Sequence, residues 1–507
     1  MLTKMMAEVE GALADFRPER LYGLVCGVTD NGFQVKGLGA MARIGDGLIL
    51  KRKSGADVVG EIVALEPGAD GAIAVAMAFD PIDGAAIGDP AELTPSLDPK
   101  PSEAWLGQVI DANGRPTSGE ALAPGARKAP LRAAPPPALS RRLVGDRLGT
   151  GHAPLDTVLP ICRGQRMGVF SGSGVGKSRL LGALAQRMTA DVVVIGLIGE
   201  RGREVRDFVD NILGPDAMRR TVVIAATSDQ PAAMKRRAAW LTLCVAEHFR
   251  NQGRHVLLLL DSLTRFAEAH RQVALTSGER AGVGGFPPST HNAVAALAER
   301  AGPGPDQEGM GDITAIFTVL VAGSDMDEPV ADMTRGILDG HVVLSREIAE
   351  RGRFPAIDVR RSVSRSLPDA ASAAENKVIA KARRLLAVYE QAEPMIQIGL
   401  YQAGADIEID RAIDVWPRLD AFFADASETP DAAFEQLSEI VGVSLQEEEA
   451  EPALAPLQRR APQAGEAPAA AKPASGGAAN ATAKAASAAP RRILPAKEAA
   501  ALARKAG

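Results

Sequence analysis

Cysteine is scarce in this sequence: three in 507 residues, at positions 26, 162 and 244. Few, odd in number and far apart, they exclude a disulfide framework and suggest no zinc knuckle. The six histidines are scattered and add no metal motif. Aromatic residues make up only 4% and the formal charge is −6, which argues against a whole-chain affinity for nucleic acid. No apolar run reaches the ~18 residues of a membrane-spanning helix. Glu8, Glu10 and Asp15 interrupt the first twenty residues, which does not fit a signal peptide. A multidomain, cytoplasmic chain is expected.

What is present centres on one stretch. The apolar run Met167–Phe170 leads into Ser171-Gly172-Ser173-Gly174-Val175-Gly176-Lys177-Ser178, and a helix is expected from Lys177 to about Met188. This strand–loop–helix context makes a phosphate-binding loop. Glycines at 172, 174 and 176 let consecutive backbone N–H groups converge on an anion, and the helix N-terminus adds its partial positive charge. The loop Gly172, Ser173, Gly174, Val175, Gly176, Lys177 and Ser178 is the expected nucleotide cradle. Lys177 would reach the β- and γ-phosphates and Ser178 would be a Mg²⁺ ligand. Serine at 171 replaces the first glycine of the usual pattern, and being small it leaves binding intact.

Around this loop the chain changes texture several times. Residues 1–20 carry Leu2, Met5, Val9, Leu13 and Phe16 at helical spacing, an amphipathic helix. From 21 to 95, short β-rich pieces alternate with turns such as Asp30-Asn31-Gly32 and Pro67-Gly68, which suggests a small β-barrel. Its aromatics are too few, and too far from Lys51-Arg52-Lys53, to stack bases, so a structural barrel is favoured over an RNA-binding one. Residues 96–368 read as an α/β domain. After a proline-rich linker and a possible strand over Trp105–Val109, the runs Val192–Ile198, Val222–Ala226, Val256–Leu260 and Ile313–Val321 look like buried parallel strands separated by helices. Residues 369–445 lack strand signals and suggest a helical domain. The tail, 446–507, is rich in Ala, Pro and Lys and lacks the apolar content to fold alone.

Two more elements bear on chemistry. Asp261 ends an apolar strand, as does the aspartate that holds Mg²⁺ beside a phosphate loop. Glu200, in Gly199-Glu200-Arg201-Gly202-Arg203-Glu204, lies just past another strand on the edge where ligands bind; it is the candidate base for the attacking water, with Arg201 near the γ-phosphate. Glu204 is expected to bond within the following helix. Arg365, in Ser362-Val363-Ser364-Arg365, could stabilise transition-state charge on a neighbouring subunit's phosphate.

These motifs, with Gly164-Gln165-Arg166, Asp261-Ser262-Leu263-Thr264-Arg265, Gly285-Phe286-Pro287-Pro288-Ser289 and Ile337-Leu338-Asp339-Gly340-His341, occur in the order found in the rotary-type ATPases. The chain most resembles their flagellar and type III secretion export branch over about residues 20–440. The resemblance implies an ATP- and Mg²⁺-dependent homohexamer with active sites between subunits, Glu200 as catalytic carboxylate and Arg365 acting in trans. It implies that helix 1–20 docks on a stator-like regulatory protein, and that ATP hydrolysis releases chaperones and feeds export substrates to a membrane export gate, with the chain peripheral to the inner-membrane apparatus. Tyr401 is the candidate to stack on adenine. An injectisome ATPase, an ATP synthase catalytic subunit, a hexameric RNA translocase and a non-catalytic scaffold are the alternatives; Lys177, Glu200 and Arg365 in one chain oppose the last.

Overall fold

Short strands joined by tight turns cannot bury both faces singly, and here they solve the problem by closure. In the computed structural model, which describes residues 20–445 apart from 54, 70, 95–96 and 322–325, six antiparallel strands form a closed barrel in the order β1-β2-β5-β4-β3-β6. These are β1 (Leu21–Thr29), β2 (Gly32–Lys36), β3 (Gly47–Leu50), β4 (Val58–Gly68), β5 (Gly71–Ala78) and β6 (Pro90–Thr94). Register shifts at Val25/Gly27 and Ile62/Ala64 bend β1 and β4 as closure requires. Phe33, Val35, Leu48, Leu50, Val58 and Ile62 fill the interior. The sequence does not announce β6, because it opens on a proline and carries Glu92; pairing with both β1 and β3 makes it a strand. The helix expected over residues 1–20 and the tail 446–507 lie outside the described residues.

The continuous apolar runs become the middle of an eight-stranded sheet ordered β14-β13-β8-β12-β11-β9-β10-β7. Its strands are β7 (Val109–Ile110), β8 (Arg166–Ser171), β9 (Val192–Glu200), β10 (Thr221–Thr227), β11 (Val256–Asp261), β12 (Ile313–Leu320), β13 (Gly340–Leu344) and β14 (Ile357–Ser364). All neighbours are parallel except β13 and β14. Helices Lys177–Arg187, Ala232–Arg250 and Leu263–Thr276 pack against it. The strand expected over Trp105–Val109 shrinks to β7: Glu103–Trp105 is a single 3₁₀ turn, and the Trp105 ring is buried against Gly114 instead of lying along a strand. β13 and β14 escape the sequence reading because His341 and the pair Arg360-Arg361 break their apolar character.

The remainder is helical: Ala373–Gln397, Ile407–Phe422 and Pro430–Val441. Each starts on a side-chain cap, Ser372 with Glu375 in a reciprocal box, then Asp406 and Thr429. Phe422, Phe434, Leu437 and Val441 join the apolar cluster that contains Met167 and Val169 of β8, so these helices share a core with the sheet. Buried Asp156 accepts from Thr150 N–H at 2.6 Å and from the Ser427 hydroxyl, tying the two regions together.

Candidate active site

The parallel strands β8, β11 and β9 end on the same edge of the sheet, and each end carries one part of the site. After β8 the loop 172–176 turns into the helix Lys177–Arg187. Gly176 caps that helix with φ of +89°, a conformation a side chain rarely adopts, and a Cβ there would also crowd the Phe354 ring at 3.2 Å. Ser171 ends β8, hydrogen-bonded through its carbonyl to Val321 N–H at 3.0 Å.

Lys177 is the centre. Its ammonium bonds Asp261 Oδ1 at the end of β11 and reaches Glu200 Oε1 at the end of β9, 3.4 Å away. Asp261 is 3% exposed and also accepts the Thr318 hydroxyl of β12 at 2.7 Å, which fixes its carboxylate. Glu200 is aimed by a bulge. The β9–β10 register shifts between Ile198 and Glu200, and Gly199 sits at φ of +74°. Burial pushes the Glu200 carboxyl above its usual range; Lys177 opposes this, while Asp261 and a hydrogen bond shared with Glu204 add to it. Glu204 is held low by that same bond to Glu200, so it serves the candidate base as well as its own helix.

Of the other expected site residues, Ser178 adjoins Lys177 and the rest point elsewhere. Ser178 follows Lys177 in the first helical turn and is exposed. Arg201 turns to solvent, its side chain 79% exposed, and pairs with Glu204 at 3.0 Å. The Tyr401 hydroxyl donates to Asp410 Oδ1 at 2.8 Å and lies 3.0 Å from Asp406 O, which binds it to the start of helix Ile407–Phe422. Phe354 stands at the loop, half exposed, beside Gly176. The sequence reading missed it; the signal was an aromatic between Arg353 and Pro355 where the chain returns from β13 toward β14. Between loop and helices a cavity of about 1060 Å³ is lined by Gly172, Ser173, Val175, Arg351, Arg361 and Glu393.

Arg365 is on the opposite edge. His341 of β13 pairs with Gly168 of β8 and Leu344 with Ser171; β14 then runs back, so Ser364 pairs with Gly340. About five residues of strand, ~16 Å, separate Arg365 from its own phosphate loop. No single side chain spans that.

A phosphate loop whose lysine bridges two strand-end carboxylates matches a nucleotide-binding domain, and the family comparisons agree. Residues 151–364 match the ATP synthase alpha/beta family, nucleotide-binding domain, and residues 371–439 match the T3SS EscN ATPase C-terminal domain. The flagellum-specific ATP synthase of Caulobacter vibrioides is 43% identical over 446 residues, covering 86% of this chain and 99% of that protein. The chain belongs to the flagellum-specific and type III secretion ATPase family. The SPI-2 type 3 secretion system ATPase of Salmonella typhimurium is 45% identical over 342 residues, 67% of this chain and 78% of its own length. The solved structure of the assembled ATPase EscN from enteropathogenic E. coli superposes with a TM-score of 0.76 at 36% identity, over 83% of this chain and 100% of that one. The family fixes fold class and enzyme class together: barrel, nucleotide-binding α/β sheet and C-terminal helices in an ATPase.

Proposed function

We propose that the chain hydrolyses ATP, with Mg²⁺, as a homohexamer that powers flagellar type III protein export, driving chaperone release and substrate entry. The observation that carries the proposal is the division of the machinery between two edges of one sheet. Lys177, Glu200 and Asp261 meet on one edge, and Arg365 stands ~16 Å away on the other. A complete site then needs Arg365 of a neighbouring copy.

The residues present suit the ligands. The cavity beside the loop has room for a nucleotide. Ser178 and the buried Asp261 carboxylate would hold Mg²⁺, which when bound neutralises charge on the phosphates. Lys177 leaves its carboxylates for phosphate oxygens, and the exposed face of Phe354 receives the base. Glu200, freed from Lys177, orients the attacking water and takes its proton; a carboxyl raised above its ordinary range suits that task. Arg365 from the next subunit offers a planar, permanently charged fork to the developing phosphate charge.

The flagellar reading is supported by the flagellum-specific relative of Caulobacter vibrioides, 43% identical over 86% of this chain, against 67% of this chain for the SPI-2 enzyme. EscN has been solved assembled and with its central stalk EscO, which supports an oligomer with a stalk-like partner here. A stator-like protein on residues 1–20, and a peripheral place at the inner-membrane export gate with chaperones and export substrates, complete the proposal. The test is ATPase rate against protein concentration, with and without bacterial RNA, beside export of flagellar subunits in a strain lacking the chain. Specific activity rising steeply with concentration, indifferent to RNA, and restored export are expected. A rate flat in concentration, or stimulated by RNA, sinks the proposal.

A further inference from the structure

Two motifs remain unused by this account, Gly164-Gln165-Arg166 leading into β8 and Leu338-Asp339-Gly340 leading into β13. The fold brings them together at the edge that carries Arg365. The Arg166 guanidinium forks onto Asp339, Nε to Oδ2 and Nη2 to Oδ1, each at 3.0 Å, and Arg166 N–H adds a third bond to Oδ2 at 3.0 Å. The backbone reciprocates, with Asp339 N–H donating to Arg166 O at 2.9 Å. Gln165, fully buried, donates to Asp339 O at 3.0 Å and to Ser364 Oγ at 3.1 Å, and its own oxygen is fixed by Cys162 N–H at 2.8 Å. Asp339 O in turn accepts Arg365 N–H at 3.1 Å.

We infer that Asp339, clamped by Arg166 and Gln165, is a positioning residue that sets the backbone from which Arg365 reaches the neighbouring active site. This rests on the reading that Arg365 acts in trans. Among the described residues the Arg365 side chain makes one hydrogen bond, to Arg335 O at 3.2 Å, and it is exposed. Its aim therefore depends on where the backbone holds its Cα. That backbone is pinned through Asp339 on one side and through Ser364 on the other, where Ser364 Oγ donates to Pro160 O at 2.7 Å. Displacing a charge-stabilising group by about 1 Å is enough to cost ~100-fold in rate. The carboxylate of Asp339 never touches nucleotide in this scheme; it acts through the peptide it fixes.

The test uses the full chain. Asp339→Asn removes the charge-assisted fork, and kcat is expected to fall at least tenfold with KM for ATP and hexamer formation unchanged. Arg166→Lys, which keeps the charge but loses the fork, should behave alike and covers the case in which Asp339→Asn folds poorly. Mixed hexamers then locate the defect. Asp339→Asn mixed with Lys177→Ala should regain activity, because the Lys177→Ala chain supplies a well-placed Arg365 to an intact phosphate loop. Asp339→Asn mixed with Arg365→Ala should not, since both chains fail on the same side. The inference is overturned if kcat stays within twofold, if the second mixture recovers, or if the first fails while Arg365→Ala with Lys177→Ala recovers. Failure of that last control would instead remove the trans reading, and the inference with it.

Discussion

Glu61 of barrel strand β4 and Arg237 of helix Ala232–Arg250 meet 3.9 Å apart with both side chains 5% exposed, joining the barrel to the nucleotide-binding sheet through buried charge. The same carboxylate contacts Arg132 and lies 4.0 Å from Arg236. Arg237 also donates to Ala112 O at 3.0 Å and to Leu97 O, and the guanidinium of Arg236 lies over the Trp240 ring at 4.6 Å. Burial pulls Arg236 down to about 10, still charged at neutral pH. Removing the one carboxylate therefore strands buried cations. Glu61→Ala is expected to cost about 3–5 kcal/mol, measured by chemical denaturation, with exposure of Trp240 as the fluorescence signal. A loss under 1 kcal/mol would mean that water reaches this cluster.

The chemistry is expected to hinge on Glu200. Glu200→Gln should lower kcat by about 10²–10⁴ and leave nucleotide binding within a few-fold, since Glu200 is assigned to the attacking water and not to the phosphates. Because burial raises the Glu200 carboxyl, its base form is lost as pH falls through a value above the ordinary carboxylate range. The wild-type rate should decline from that higher pH. Glu204→Gln deletes a neighbour that raises Glu200, so the acid limb should move to lower pH. A shift toward higher pH would contradict the Glu200–Glu204 contact.

Assembly has its own signature. Arg365→Ala should reduce kcat by ~10³ or more while sparing ATP affinity. Mixed with Lys177→Ala, it should regain measurable turnover in hexamers confirmed by mass. Silent mixed hexamers would refute catalysis across the subunit boundary.

Base recognition separates two aromatics. Phe354→Ala should weaken ATP binding by about 1–3 kcal/mol, the worth of one stacked base, seen as a rise in KM and in the dissociation constant of a fluorescent nucleotide. Tyr401→Ala should leave KM within twofold, the hydroxyl serving the bond to Asp410. The reverse pattern would place the base against Tyr401.

Much of the molecule is readable before folding because its periodicities are clean. The four long apolar runs and the glycine loop dictate strands and a phosphate cradle on local grounds alone, and Asp261 follows from ending such a run. What escapes depends on distant partners. β6, β13 and β14 carry a proline, a histidine or charges and become strands only through neighbours supplied by the rest of the barrel and sheet. Phe354 joins the site only because the β13–β14 return lays it against Gly176, nearly 180 residues earlier in the chain. Arg201 looks the equal of Glu200 in sequence, yet the turn at Gly199 aims one inward and leaves the other in solvent.

The antiparallel return of β14 has an arithmetic consequence. If Arg365 acts in trans as proposed, each chain carries a receiving half-site on one sheet edge and a donating arginine on the other, and copies would associate head to tail. An open row of n chains completes n − 1 sites, whereas closing the row into a ring completes n. Ring closure thus adds one working site without adding a subunit, and the gain in output per chain is greatest for the smallest assemblies.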